Sequence, residues 1–152
     1  MTLNDTPSPR DKEGHGSLTL STVGGSLFSD ASLNRLANGI AMGLALKARL
    51  FAYKVHWSRA ASDMDVLAAF EAAIDDNVDI INLSVVRVER EFLDSFVVGS
   101  FHAIKNGILT IVSAGNTGPA LGTVLNVYPW ALTVAASTID RKFYLISYLG
   151  TI

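Results

Sequence analysis

The chain has 152 residues, 49% of them apolar and 17% charged, with a net charge of −2 and no cysteine. That length suits one folding unit, and a charged fraction below the roughly 25% of an average soluble domain suits an α/β protein with strands buried on both faces, or equally a piece of a larger core. Scattered Lys and Arg supply no basic stripe for nucleic acid, no apolar run is long enough to cross a membrane, and the absence of cysteine rules out a disulfide framework and a thiolate metal site.

Met1 to Lys12 are polar with two prolines and lack the apolar core of a secretory signal, which leaves the compartment undetermined. Residues 1–7 are expected to be disordered, and Asn4 to Asp11 reads as an extended loop. Gly14-His15-Gly16 leads into a small-residue run, Ser17 to Val23, a poor isolated helix that must be buried if it is helical; Gly24 and Gly25 end it. Ala48 to Val55 is apolar and long enough for one strand.

Ser62 opens a helix as its cap, with Asp63 and Asp65 at the positive end of the dipole. Val66, Ala69, Phe70, Ala73 and Ile74 give it one buried face that runs out near Asn77. Val78 to Ser84 reads as a second strand. Glu91 to Lys105 reads as a helix, with Phe92, Phe96, Val97, Phe101 and Ile104 at helical spacing and Asn106-Gly107 as its stop. Ile108 to Val112 and Ala131 to Ala135 complete the strands. Alternating strands and helices predict a parallel sheet with helices packed on its faces, and Asp75-Asp76 are expected to lie solvated at a helix end.

In a parallel sheet, reacting groups collect at the carboxyl ends of the strands. Ser113-Ala114-Gly115-Asn116-Thr117-Gly118-Pro119 stands directly after one strand. Its small residues admit a close-lying ligand, and Asn116 offers an amide to an oxygen carrying negative charge. His15, between two glycines, carries an imidazole whose ordinary pKa suits a proton acceptor. Each alone has a plainer reading, as a turn or a loop histidine. No phosphate-binding loop is present, and His15, His56 and His102 lack the spacing of a metal site.

Several segments together narrow the reading. Ser8-Pro9-Arg10-Asp11 followed by Gly14-His15-Gly16-Ser17 resembles the S-P-R-D-x-x-G-H-G-T-H-T-A-S run of plant subtilisin-like serine proteases, the cucumisin-like branch of the subtilases. Gly39 to Ala45 resembles G-T-A-x-G-M-A, Ala52 to Trp57 resembles A-Y-K-V-C-W, and Ser113 to Pro119 resembles S-A-G-N-S-G-P. Asp63 to Asn82, Val127-Tyr128-Pro129-Trp130 and Asp140-Arg141 extend the likeness over nearly the whole chain from Ser8 onward.

The resemblance implies an α/β, subtilisin-like parallel sheet with helices on both faces, here incomplete, with residues 1–152 forming part of the catalytic domain. It implies serine-type endopeptidase activity on a peptide or protein substrate, with no cofactor and no metal. By this likeness His15 is the general base and Asn116 an oxyanion donor, with Ser84, Ser113, Ala114 and Gly115 along the substrate. Family members are typically secreted.

The family's Asp, in a D-T-G or D-S-G context, and its nucleophile, in G-T-S-M-A, have no match; Asp5 precedes Pro7 and lies only ten residues before His15, and Ser100 falls inside a helical pattern. Leu18 stands where the family has a second His, and Val85-Val86-Arg87 replaces L-G-G. The chain alone is therefore expected to be inactive. The alternative is a non-catalytic remnant that binds a peptide or pairs with a full-length subtilase.

Overall fold

The computed structural model describes residues 8–57, 60–86, 94–140 and 144. The expectations for residues 1–7, Glu91, Phe92 and Arg87 lie outside them. Helix α1 (His15–Gly24) forms as its small-residue run suggests, but no residue of it is buried. Its hydroxyls fold back on its own carbonyls, Ser21 and Thr22 both donating to Leu18 O at 2.8 and 2.9 Å. Its far end is hooked rather than packed: Gly43 N–H donates to Gly25 O, Leu44 N–H to Thr22 O and Ala45 N–H to Val23 O. Gly43 is buried there, and a Cβ would collide with the backbone of Gly24 and Gly25. These hydroxyl bonds within the helix and backbone bonds to the Gly43–Ala45 segment stand in for the burial that propensity alone demanded.

Between these contacts lies an antiparallel hairpin of β1 (Phe28–Leu33) and β2 (Leu36–Ala41), turned at Asn34 and Arg35, both left-handed with φ of 51° and 67°. Two positive φ values in a two-residue loop match the twist of a hairpin. The strand expected over Ala48 to Val55 does not form. Its amides have no neighbouring ladder among the described residues, and strand structure starts only at β3 (His56–Trp57), paired with β4 (Ala60–Ala61).

Helix α2 (Asp63–Asp75) starts at Ser62, which sits at the cap position without a side-chain capping bond. Asp63 and Asp65 lie in its first turn, at the positive end of the dipole, and Val66, Phe70 and Ala73 are its buried face. Asp75 and Asp76 are both exposed as expected, and Asp76 also accepts a 2.6 Å bond from Tyr53 Oη. Strand β5 (Ile80–Leu83) follows, then α3 (Ser95–Lys105), β6 (Leu109–Ser113) and β7 (Leu132–Val134). Helix α3 is capped by Asp94, whose carboxylate accepts from Phe96 N–H at 2.9 Å, and it ends at Asn106 with Gly107 left-handed at φ 79°.

Strands β5, β6 and β7 form a parallel sheet in that order, with Leu83 opposite Val112 and Ser113 opposite Val134. Val66, Phe70, Phe96, Ala103 and Ile108 form the core, with Ile81 and Leu83 packed against it. The alternating residues Ile80, Leu109, Leu132 and Val134 remain exposed. Alternation along a strand sends neighbours to opposite faces, so among the described residues the helices cover one face of this parallel α/β sheet.

Candidate active site

The carboxyl edge of the sheet gathers five of the six candidate residues. Because Leu83 and Val112 are in register, Ser84 emerges beside Ser113. Ser113 Oγ donates to Val85 O at 3.4 Å across the gap. Ala114 is buried, donates its N–H to Val134 O and accepts from Leu125 N–H, both at 2.9 Å. Gly115 then turns the chain at φ 92°, where a Cβ would come within 3.2 Å of Leu125 Cδ1. A left-handed backbone and a near side chain both favour glycine. Asn116 follows, exposed, and its carboxamide makes no hydrogen bond among the described residues. The arrangement presents a free amide donor at the end of a rigidly bonded strand, as oxyanion stabilisation requires.

His15 is the first residue of α1 and is exposed. Its loop is organised by Asp11, whose Oδ1 accepts from Glu13 N–H at 3.0 Å and Gly14 N–H at 2.8 Å, and whose Oδ2 accepts from Ser17 N–H at 2.7 Å. The Gly14 and Ser17 amides, with the Ser17 hydroxyl, hold the Asp11 carboxyl well below the usual carboxylate range. Gly14 precedes His15 with φ 105°, a left-handed turn into the helix. Lys54 braces the same loop from the other side, donating to Arg10 O at 3.0 Å and Ser8 O at 3.3 Å while lying 4.5 Å above the Trp57 ring. A shallow groove lined by Ser8, Pro9, Tyr53, Lys54, Trp57 and Asp65 opens here, and none of the six candidate residues lines it.

No hydrogen bond joins His15 to Ser84 or to Ser113–Asn116 among the described residues; α1 bonds to the Gly43–Ala45 segment instead. Ser100 is buried in α3, where its Oγ donates to Phe96 O at 2.6 Å and accepts from Trp130 Nε1 at 3.0 Å. It is a structural hydroxyl. Sequence reasoning passed over Asp11 as an organiser of the His15 loop and Asn126 altogether. Asn126 carried only one signal, an asparagine in a loop, which tolerates left-handed backbone.

The family model described as the Subtilase family matches residues 2–148. The chain belongs to the subtilases. It is 56% identical over 138 residues to the subtilisin-like protease SBT4.14 of Arabidopsis thaliana, a match that covers 90% of this chain. It is 50% identical over 143 residues to the subtilisin-like protease Glyma18g48580 of Glycine max, covering 88% of this chain. In both cases it spans 18% of the relative's length. Among solved structures it is similar to the prenylagaramide maturation protease PagA, with a TM-score of 0.46 and 23% identity over 61% of this chain and 35% of that one. The subtilase family is one of serine-type proteases, so the residues at the sheet edge and in the Asp11–Ser17 loop belong to a hydrolase lineage found in plants.

Proposed function

We propose that this stretch supplies the general base, His15, and an oxyanion donor, Asn116, to a serine endopeptidase site, and that the 152 residues by themselves do not cleave peptides. In the reaction a serine hydroxyl attacks the peptide carbonyl, an imidazole takes its proton, and amide donors stabilise the oxyanion before the proton passes to the leaving amine. The carboxamide of Asn116, exposed and without a partner among the described residues, on a strand end locked by Ala114, is the observation that carries this reading. Ser84, Ser113, Ala114 and Gly115 lie at the edge where a substrate backbone would run. Among the described residues, no hydrogen bond joins a serine hydroxyl to the His15 imidazole; Ser100 is spent in α3 and Ser113 is turned to Val85 O.

A hybrid tests the assignment. Residues 8–140 replace the matching stretch of the Arabidopsis relative, which brings its own Asp and Ser segments. Asn116→Ala in that hybrid lowers kcat for casein-derived peptides by about 100- to 1,000-fold with little change in KM, the loss expected for one oxyanion donor. An undiminished kcat rejects the role. The isolated chain takes up no fluorophosphonate label and digests no casein; stoichiometric label on it overturns the second half of the proposal.

One observation favours a binding role without catalysis. Val86 and Arg87 stand where the family's run has glycines, and β-branched or charged side chains there obstruct a substrate lying along that edge. Recovery of an intact subtilase with the tagged chain, at one-to-one stoichiometry and without hydrolysis, supports that second reading.

A further inference from the structure

We infer that Asn126 is the positioning residue that sets the distance between the two halves of the substrate edge, Ser84–Val86 and Ser113–Asn116. The inference rests on reading those segments as the site, but its physical content is independent of the chemistry. Asn126 is 8% exposed and left-handed, with φ 55°. Both hydrogens of its carboxamide are used, one donated to Val85 O at 2.9 Å and the other to Ser113 O at 3.0 Å. Its Oδ1 accepts from Tyr128 Oη at 3.0 Å and its backbone O from Thr133 Oγ1 at 2.6 Å.

The β5–β6 ladder ends at Leu83 and Val112. Beyond it the two strand extensions present carbonyls, Val85 O and Ser113 O, to the same nitrogen; Ser113 Oγ reaches Val85 O only at 3.4 Å, and the two carbonyls, both acceptors, cannot bond to one another. A group with two donors on one short arm closes that gap. Asparagine has one, whereas aspartate has none and serine a single donor. Left-handed backbone is also a conformation asparagine accepts more readily than most residues.

The far end of the clamp is fixed to packed structure. Tyr128 stacks on Trp130 with ring centroids 6.3 Å apart, Trp130 meets Phe101 edge-on at 5.1 Å, and Trp130 Nε1 donates to Ser100 of α3. The neighbouring Leu125 holds Ala114 O through its N–H and lies against Gly115. One loop, anchored on α3, therefore grips the backbone immediately before Asn116 and the strand end opposite it.

Two variants separate side chain from backbone. Asn126→Asp keeps the size but removes both donors, and Asn126→Gly keeps the left-handed turn. Amide hydrogen exchange on the full 152-residue chain reads the outcome. Both variants accelerate exchange at Ala114 and Leu125 by about tenfold or more, while the Ala103-bonded amides of Gly107's turn, Asn106 and Ile108, change less than about twofold. Uniform acceleration everywhere makes Asn126 general structural cement, and unchanged exchange at Ala114 and Leu125 makes it idle; either result overturns the inference.

The hybrid supplies a readout that loosening alone does not move. There Asn126→Asp lowers kcat by about tenfold beside wild type and leaves kcat unchanged in an Asn116→Ala background, because its effect passes through Asn116. The same loss in both backgrounds overturns the positioning role. Failure of the oxyanion reading shows separately, as an Asn116→Ala hybrid with full kcat, and leaves the exchange result to decide Asn126.

Discussion

Thr110, the second residue of β6, is fully buried, yet its Oγ1 has no hydrogen-bond partner among the described residues. A buried hydroxyl left unpaired costs about 1–3 kcal/mol of desolvation, and valine offers the same branched shape without it. Thr110→Val should therefore raise unfolding stability by about 1 kcal/mol, seen as a higher urea midpoint with an unchanged slope. A lowered midpoint would mean that the hydroxyl does find a partner. Asp11 is the opposite case, a carboxylate with three amide donors. Its folded pKa is depressed below the unfolded value, so the order it gives the His15 loop is complete above about pH 4 and is lost as pH falls below that. Exchange at the Gly14 and Ser17 amides followed down the acid limb should show the loss, and Asp11→Asn should abolish the pH dependence. Tyr53 carries the mirror-image sign: burial first, then the bond to Asp76, push its hydroxyl up to about 12, so that contact holds below pH 10 and is lost as pH rises towards 12.

Helices α2 and α3 meet at Gly99, where an added Cβ would collide with the Phe70 ring. Both residues are buried, so neither neighbour can step aside into solvent. Gly99→Ala should lower stability by about 1–3 kcal/mol through overpacking despite alanine's better helix propensity, measured by thermal or urea unfolding. A stabilised variant would show that the helices sit farther apart. Helices with a strong three-and-four pattern, such as the Val66, Phe70, Ala73 face, were legible in the sequence because their burial follows from one local period. So were β5, β6 and β7 and the Gly107 stop, since apolar runs bounded by turn residues have few other uses. The Ala48–Val55 run was not, because a strand depends on a partner whose position no local pattern states. The exposure of α1 and the hairpin at Asn34-Arg35 were missed likewise, one resting on distant backbone bonds to Gly43–Ala45 and the other on short polar strands. The Ser113–Pro119 loop could be picked out as a candidate site from residue types alone, whereas Asn126 bonds to two carbonyls that are 41 and 13 positions away along the chain.

At the scale of the molecule, the sheet is covered on one face by α2 and α3, while Ile80, Leu109, Leu132 and Val134 stay exposed on the other, among the described residues. Exposed apolar strands with free edges promote association. The candidate base and the candidate oxyanion donor occupy separate elements with no bond between them, and in the proposed reading they act on a serine that neither element carries. The subtilase hybrid therefore carries the decisive comparison, between His15 and His15→Ala, in the rate of fluorophosphonate labelling of the relative's serine. Prompt labelling with His15 and a loss of about 1,000-fold or more with alanine is the predicted result, since the hydroxyl is then left without its base. Equal labelling rates would contradict the account, because the proton would then be taken by another group.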